Sequence, residues 1–187
     1  MVARSIRWTV QDLAAMPDDS GWKRYEIIDG DLLVTRAPHA WHQNASGNIH
    51  FELTAWSRKS GLGKSLEAPG VIFTEGDAVI PDVVWVSHKR WQQGLDDAGH
   101  FTIAPELIVE VLSTGSLNEQ RDRQVKLKLY SIYGVQEYWI ADWRLQQIEV
   151  YRREDAQLQL SGTLLATDRL TSPLLPEFDC SVESLFQ

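Results

Sequence analysis

Cysteine is almost missing from the chain. Cys180 stands alone among 187 residues, so no disulfide can form within the chain and a reducing, cytoplasmic compartment is expected. Long apolar runs are missing too: none nears the roughly 20 residues that a membrane-spanning helix needs. No basic segment followed by an apolar one stands near Met1, so no secretory leader is expected. Nor is there a basic tail or half. Net charge is −8, from 18 basic and 26 acidic residues, and residues 1–100 and 101–187 share the deficit. A protein that lives by non-specific attraction to phosphate carries the opposite sign. The charge leaves room for a nuclease, whose carboxylates gather metal and whose basic contacts are local. No repeat, low-complexity tract or Pro/Ser-rich linker interrupts the chain. Its length fits one domain over residues 1–187. A composition of 43% hydrophobic and 24% charged residues excludes disorder, collagen and coiled coil.

What is present is a mixed series of elements. Thr9 can cap a short helix through Leu13. Asp29-Gly30 between Tyr25–Ile28 and Asp31–Val34 predicts a hairpin, because a type I′ turn needs positive φ at both central residues. Ile49, Leu53 and Trp56 recur at helical spacing from His42 to about Arg58. Short strands follow at Leu66, Val71–Phe73 and Ala78–Ile80. The polar connector from Ser87 to Pro105 is long enough to cover or flank a cleft. Leu117–Tyr133 predicts a second helix, with Ser116 and Glu119 as a capping box, Val125, Leu129 and Ile132 as its apolar stripe, and Gly134 as its stop. Glu137–Ala141, Gln147–Tyr151 and Leu158–Leu165 supply more strands. Ser172-Pro173-Leu174-Leu175-Pro176 opens a docked tail that ends in a helical turn near Val182–Phe186. The order predicts an α/β or α+β fold with a mixed sheet backed by helices. Eight tryptophans, mostly in alternating apolar patterns, point to core and interface packing.

Two apolar runs carry an acid each: Ile80-Pro81-Asp82-Val83-Val84-Trp85-Val86 and Glu106-Leu107-Ile108-Val109-Glu110-Val111-Leu112. An ionised carboxylate is costly to bury unless it is paired or binds metal. On adjacent strands, Asp82 and Glu110 would converge and offer hard oxygen ligands suited to Mg²⁺ or Mn²⁺. The competing reading makes Asp82 a strand-edge residue bonded to backbone amides. On the following helix, Asp122, Lys126, Leu129 and Tyr133 fall on one side, at about 100° per residue. Lys128 points away from that side. Asp122 is expected either to position Lys126 or to form an exposed i,i+4 pair with it.

These residues carry a resemblance. Pro81-Asp82, Glu110-Val111-Leu112-Ser113 and Asp122-x-x-x-Lys126-x-x-x-Tyr130-x-x-x-Gly134-Val135-x-Glu137-Tyr138-Trp139 resemble the bacterial restriction-endonuclease-like family of the PD-(D/E)XK nuclease superfamily. The Tyr25–Leu32 hairpin and the Ser172–Pro176 tail match it as well, so the resemblance spans roughly residues 8–187. It implies a restriction-endonuclease-like mixed β-sheet flanked by helices, with an N-terminal β-hairpin. It implies metal-dependent phosphodiester hydrolysis with Asp82, Glu110 and Lys126 as catalytic residues. Asp82, Glu110 and the carbonyl of Val111 would hold Mg²⁺ or Mn²⁺. The parent motif has a lysine two residues after the second acid. Here that residue is Leu112, and Lys126 would replace the lysine from the helix.

The partner implied is nucleic acid, DNA first, with no membrane role and with a symmetric homodimer as the natural way to cut two strands. The alternative function is a non-catalytic nucleic-acid-binding or protein-interaction module that kept the nuclease fold. Ser113 lacks a nucleophile elbow, which leaves a serine hydrolase unsupported. Glu26 is either a distal acid of the site or a cross-strand partner, the structural role being preferred. His39, His42 and His50 lack the spacing of a closed zinc site, so an ordinary structural role is preferred for them, with His42 as a candidate cleft residue. Arg121, Arg123, Lys126 and Lys128 form the one local basic cluster, a phosphate contact or a solvated face. Cys180 reads as a small core residue.

Overall fold

The computed structural model describes residues 6–17 and 22–187; the leader expectation at Met1 concerns residues outside these. After a single helical turn, α1 (Val10–Leu13), come β1 (Lys23–Ile28) and β2 (Asp31–Arg36), then α2 (Ala40–Ser60) and β3 (Gly63–Glu67). β4 (Val71–Thr74), β5 (Asp77–Val79) and β6 (Val83–Ser87) lead through α3 (His88–Gln93) to β7 (Leu107–Val111). A helical crossover follows, built from α4 (Ser116–Gln120), a π-helical turn (Arg121–Lys126) and α5 (Leu127–Ile132). β8 (Glu137–Asp142), β9 (Gln147–Glu154), β10 (Gln157–Leu164), β11 (Arg169–Ser172), β12 (Leu175–Ser181) and a 3₁₀ turn (Glu183–Leu185) complete the chain.

The central sheet has six strands in the order β10-β9-β8-β7-β6-β3. Only β7 and β8 run parallel, as the helical crossover between them requires. The N-terminal hairpin belongs to a second sheet, β2-β1-β5-β4, and β11-β12 form a third. In the hairpin, Asp29 and Gly30 have φ of 50° and 74°, the double positive φ that the Asp-Gly pair predicts.

Side chains alternate across the central sheet. Leu107, Val109 and Val111 join Ala45, Ile49 and Leu53 of α2 with Trp139, Phe178, Cys180 and Leu185 in one apolar layer. Ile108 and Leu112 join Leu129, Tyr130, Tyr138 and Val84 in the other. Glu110 has the parity of that second layer, so its carboxylate enters the face covered by the helical crossover. α2 buries His42, Ala45, Ile49, Leu53 and Trp56 at spacings of three and four.

Four expectations differ from what forms. Val125 is 43% and Ile132 65% exposed, while Asp122, Lys126, Leu129 and Tyr130 are buried. The π-helical turn sets the buried face, and its interior side is polar because it meets the acids. Ser116 is the first helical residue rather than the cap; Gly115, at φ 111°, precedes it, and Glu119 pairs with Arg144 and Arg123 instead. The Ser87–Pro105 connector folds into α3 and lays Phe101 along β4 through Ile72 N–H to the Phe101 carbonyl, 2.7 Å, away from the acid cleft. Ser172-Pro173-Leu174-Leu175 closes the β11–β12 hairpin instead of opening a tail, since Ser172 pairs directly with Leu175.

Candidate active site

The cleft begins where two strands part. The last register pair of β6 with β7 is Val83 with Val109. Pro81, which has no N–H, stops the strand one residue before Asp82. Asp82 then takes with its side chain what the β6 backbone no longer reaches: the Val111 N–H donates to Asp82 Oδ2 at 2.9 Å. His42 Nε2 lies 3.2 Å from the same oxygen, and Arg24 Nη1 lies 3.1 Å from Oδ1. Asp82 is thus bonded to a backbone amide, as the competing reading has it, and it also faces the cleft.

Glu110, at the centre of β7's apolar run, is 3% exposed. Lys126 Nζ donates to its Oε1 at 2.9 Å and the Tyr130 hydroxyl donates to the same oxygen at 2.6 Å. Lys126 also lies 3.0 Å from Glu26 Oε1, which accepts the Ile80 N–H. Glu26 is therefore a wall of the site as well as a brace between β1 and the strand before Asp82, which corrects the purely structural preference. Lys126 itself is 2% exposed. Asp122 turns to Arg121 Nε at 3.3 Å, and its carbonyl accepts the Tyr138 hydroxyl. Lys126 is held by Glu110 and Glu26; the expected direct Asp122–Lys126 pair does not form among the described residues. Lys128 is exposed on another side, beside Asp29, Asp31 and Tyr133.

The charges are crowded. Glu110 and Glu26 share one ammonium. Burial raises the Glu110 carboxyl most; Lys126 opposes this, while Asp82, Asp122 and Glu26 add to it, and the result is about 8. Burial also acts to raise Asp82, but the His42 ring, the Val111 amide and the Lys126 charge hold it below the usual range. Asp122 is raised by burial against Lys126 and Arg121. Burial would lower Lys126, yet the facing carboxylates Glu110, Glu26 and Asp122 raise it, so the ammonium is permanent at any working pH.

Asp82, Glu110 and Val111 line one small cleft of about 30 Å³ with Glu26, His42 and Lys126, room enough for a water-sized occupant. Two carboxylates and a neighbouring main-chain position, in a space that takes one small occupant, fit a hard cation that keeps part of its water shell. Among the described residues no three His, Cys, Asp or Glu side chains gather as a metal cluster. The ligand set rests on two acids. Leu112, at the parent motif's lysine position, is fully buried in the apolar layer and cannot serve.

The other histidines diverge. His39 Nδ1 accepts from the Trp41 N–H and its ring stacks on Trp143 at 5.0 Å, while His50 Nδ1 lies 2.9 Å from Ser65 Oγ. Arg123, expected in a basic cluster, binds Glu149 at 2.6 Å. Arg24, Arg36 and Arg121 reach the cleft. Of these, Arg24 and Arg36 carried no sequence signal, because an arginine in a hairpin strand looks like any solvated one.

Comparison with known proteins adds the family. No curated protein matches the chain. Among solved structures, a putative nuclease belonging to DUF820 from Anabaena variabilis superposes with a TM-score of 0.74 at 17% identity, covering 95% of this chain and 97% of that one. The type IIG restriction endonuclease BpuSI gives a TM-score of 0.45 at 10% identity, covering 81% of this chain and 16% of that one. The first likeness shows that the chain shares that protein's fold, of mixed α+β type with sheets flanked by helices. The family model described as "Putative restriction endonuclease" matches residues 10–183. The chain belongs to that family, Uma2.

Proposed function

We propose that the protein is a metal-dependent endonuclease that hydrolyses phosphodiester bonds, with DNA as its substrate. The observation that carries this reading is the position of Lys126. Its ammonium reaches the second acid of the motif from the helix, at 2.9 Å, where the parent motif's own lysine is replaced by Leu112. Membership of the Uma2 family supports a nucleic-acid substrate.

In this reading Asp82, Glu110 and the Val111 carbonyl hold Mg²⁺ or Mn²⁺. When bound, such an ion supplies Lewis-acid polarisation of the scissile phosphate and lowers the pKa of a water nucleophile. Glu110 must lose its proton to serve, and the permanent charge of Lys126 favours that loss. Lys126 then faces the phosphate as a buried cation and stabilises the charge that develops on its oxygens. Arg24 and His42 fix the Asp82 carboxylate in place. Tyr130 and Glu26 hold Glu110 and Lys126 in register, so that no reorganisation is needed as the charge forms.

Cleavage of supercoiled and oligonucleotide DNA at low ionic strength, with Mn²⁺ or Mg²⁺, tests this. Wild type should cut, and EDTA should abolish cutting. Lys126→Gln should lose roughly 10²–10³-fold in rate, as removal of a transition-state donor does elsewhere, while still binding one Mn²⁺ per chain at a pH high enough to ionise Glu110. Lys128→Gln should cut like wild type. A folded wild type that binds Mn²⁺ but cuts no DNA or RNA would favour the non-catalytic module.

A further inference from the structure

The acid cleft is continuous with a second, open groove. Thr35, Arg36, Pro38 and Ser113 line both. The groove has a volume of about 310 Å³ and runs between the end of β2 and the loop after β7. Its lining is Val34–His39 on one side and Ser113, Thr114 and Asn118 on the other, with no carboxylate among the described residues. In a chain of net charge −8, an acid-free path that opens directly from a cluster of buried acids is a local exception. Arg36 stands at the junction, lining both groove and cleft, and Arg24 lines the cleft side of it. Arg36 ends β2, is exposed, and makes no ion pair among the described residues. Arg24, on β1, keeps 27% of its side chain exposed and spends one guanidinium nitrogen on Asp82. Arg121 differs: its side chain is 13% exposed and its guanidinium is bonded to Asp122.

We propose that Arg36 in this groove and Arg24 at the cleft it opens into are phosphate-binding residues, and that the groove takes the backbone of a DNA strand on its way to the acid cleft. Guanidinium groups pair with phosphate oxygens in a planar, two-bonded way. Arg24, next to Asp82, contacts the phosphate nearest the cleft; Arg36 contacts the next one outward. The hydroxyls of Thr35, Ser113 and Thr114 add neutral donors along the backbone, which position a strand without reading its sequence. The acidic remainder of the surface repels DNA, so binding is confined to this path and is steeply salt-dependent.

The inference rests on the reading that nucleic acid is the substrate, but its test is binding in EDTA, apart from cleavage. Fluorescence anisotropy follows a labelled single strand and a labelled duplex across a salt series from low ionic strength. Arg36→Gln and Arg24→Gln should each weaken binding about tenfold at low salt and reduce the slope of log K against log salt by about 0.7–0.9, one phosphate contact each. Arg58→Gln, an exposed arginine on α2 away from the groove, should change neither. Arg36 is exposed, so its variant folds even if Arg24→Gln does not. Where wild type cuts DNA, Arg36→Gln, which touches no residue of the acid site, should raise KM more than it lowers kcat, while Arg24→Gln, which also frees Asp82, should lower kcat as well. Arginine-dependent binding by a wild type that never cuts would uphold the groove and overturn hydrolysis. A wild type that cuts DNA while both variants keep its affinity, salt slope and KM would overturn the groove and leave hydrolysis standing. A folded wild type that binds neither probe at low salt would overturn the groove.

Discussion

At the scale of single residues, the cleft is governed by how few cations its carboxylates share. Lys126 serves both Glu110 and Glu26, at 2.9 and 3.0 Å. Its removal therefore does more than delete a positive charge. Lys126→Ala should destabilise the fold by about 3–5 kcal/mol, as breaking a buried pair from one side does, and less at pH 6 than at pH 9, because a protonated Glu110 needs no partner. Chemical denaturation at the two pH values measures this, and equal losses would contradict it. Glu110 makes a related prediction. Its carboxyl is raised from 4.5 to about 8 in the folded chain, so the folded state holds a proton that the unfolded state gives up. That contribution to stability is full below 4.5 and is lost as pH rises through about 8. Metal-free protein should lose stability across this window, and Glu110→Gln, which cannot ionise, should flatten the loss and be more stable than wild type at pH 9. A slope unchanged by Glu110→Gln would mean that the proton sits elsewhere. Asp82 and Glu110 were legible in the sequence for a physical reason, since an acid inside an apolar strand has to be explained, and Lys126 was legible through the resemblance, since its helical position alone fits a solvated face as well. Arg24 was not, because its meaning lies in a pairing with Asp82 that is 58 positions distant in the chain, and His42 was legible as a cleft residue but not as a partner of Asp82, 40 positions away.

At the scale of elements, the helical crossover shows what periodicity reads well and where it fails. The side carrying Asp122, Lys126 and Leu129 is the buried one, as an approximately helical count predicts. The apolar stripe of Val125 and Ile132 is not, since that stripe is exposed and the interior side of the π-helical turn is charged. Hydrophobic periodicity assumes that the buried face is the apolar face, and a helix laid over buried acids breaks that rule. The Asp29-Gly30 hairpin was legible because the turn type demands those residues. Its second role, carrying Arg24 and Glu26 into the cleft, was not. α2 holds His42 against Asp82 from the opposite apolar layer, and its seat depends on Ile49, Leu53 and Trp56. Leu53 is fully buried, so Leu53→Ala should cost about 2–5 kcal/mol. Thermal unfolding checks this, and a Tm shift near zero would show that α2 is not anchored there.

At the scale of the whole molecule, the mixed sheet sets two strands side by side, β6 and β7, so that their two acids meet at one end. The sequence-based α/β or α+β reading was right because apolar runs, turn residues and helix stops were each locally consistent. What it could not supply was the sheet order, which depends on pairings between distant segments, and the assignment of the hairpin to a second sheet with β4 and β5. Calorimetric titration of Mn²⁺ into the metal-free protein asks whether Asp82 and Glu110 together hold one divalent cation, as proposed. One site per chain is expected, with affinity that rises from pH 6 to pH 8 as Glu110 gives up its proton, and with binding lost in both Asp82→Asn and Glu110→Gln. Wild-type affinity retained in either variant would contradict it.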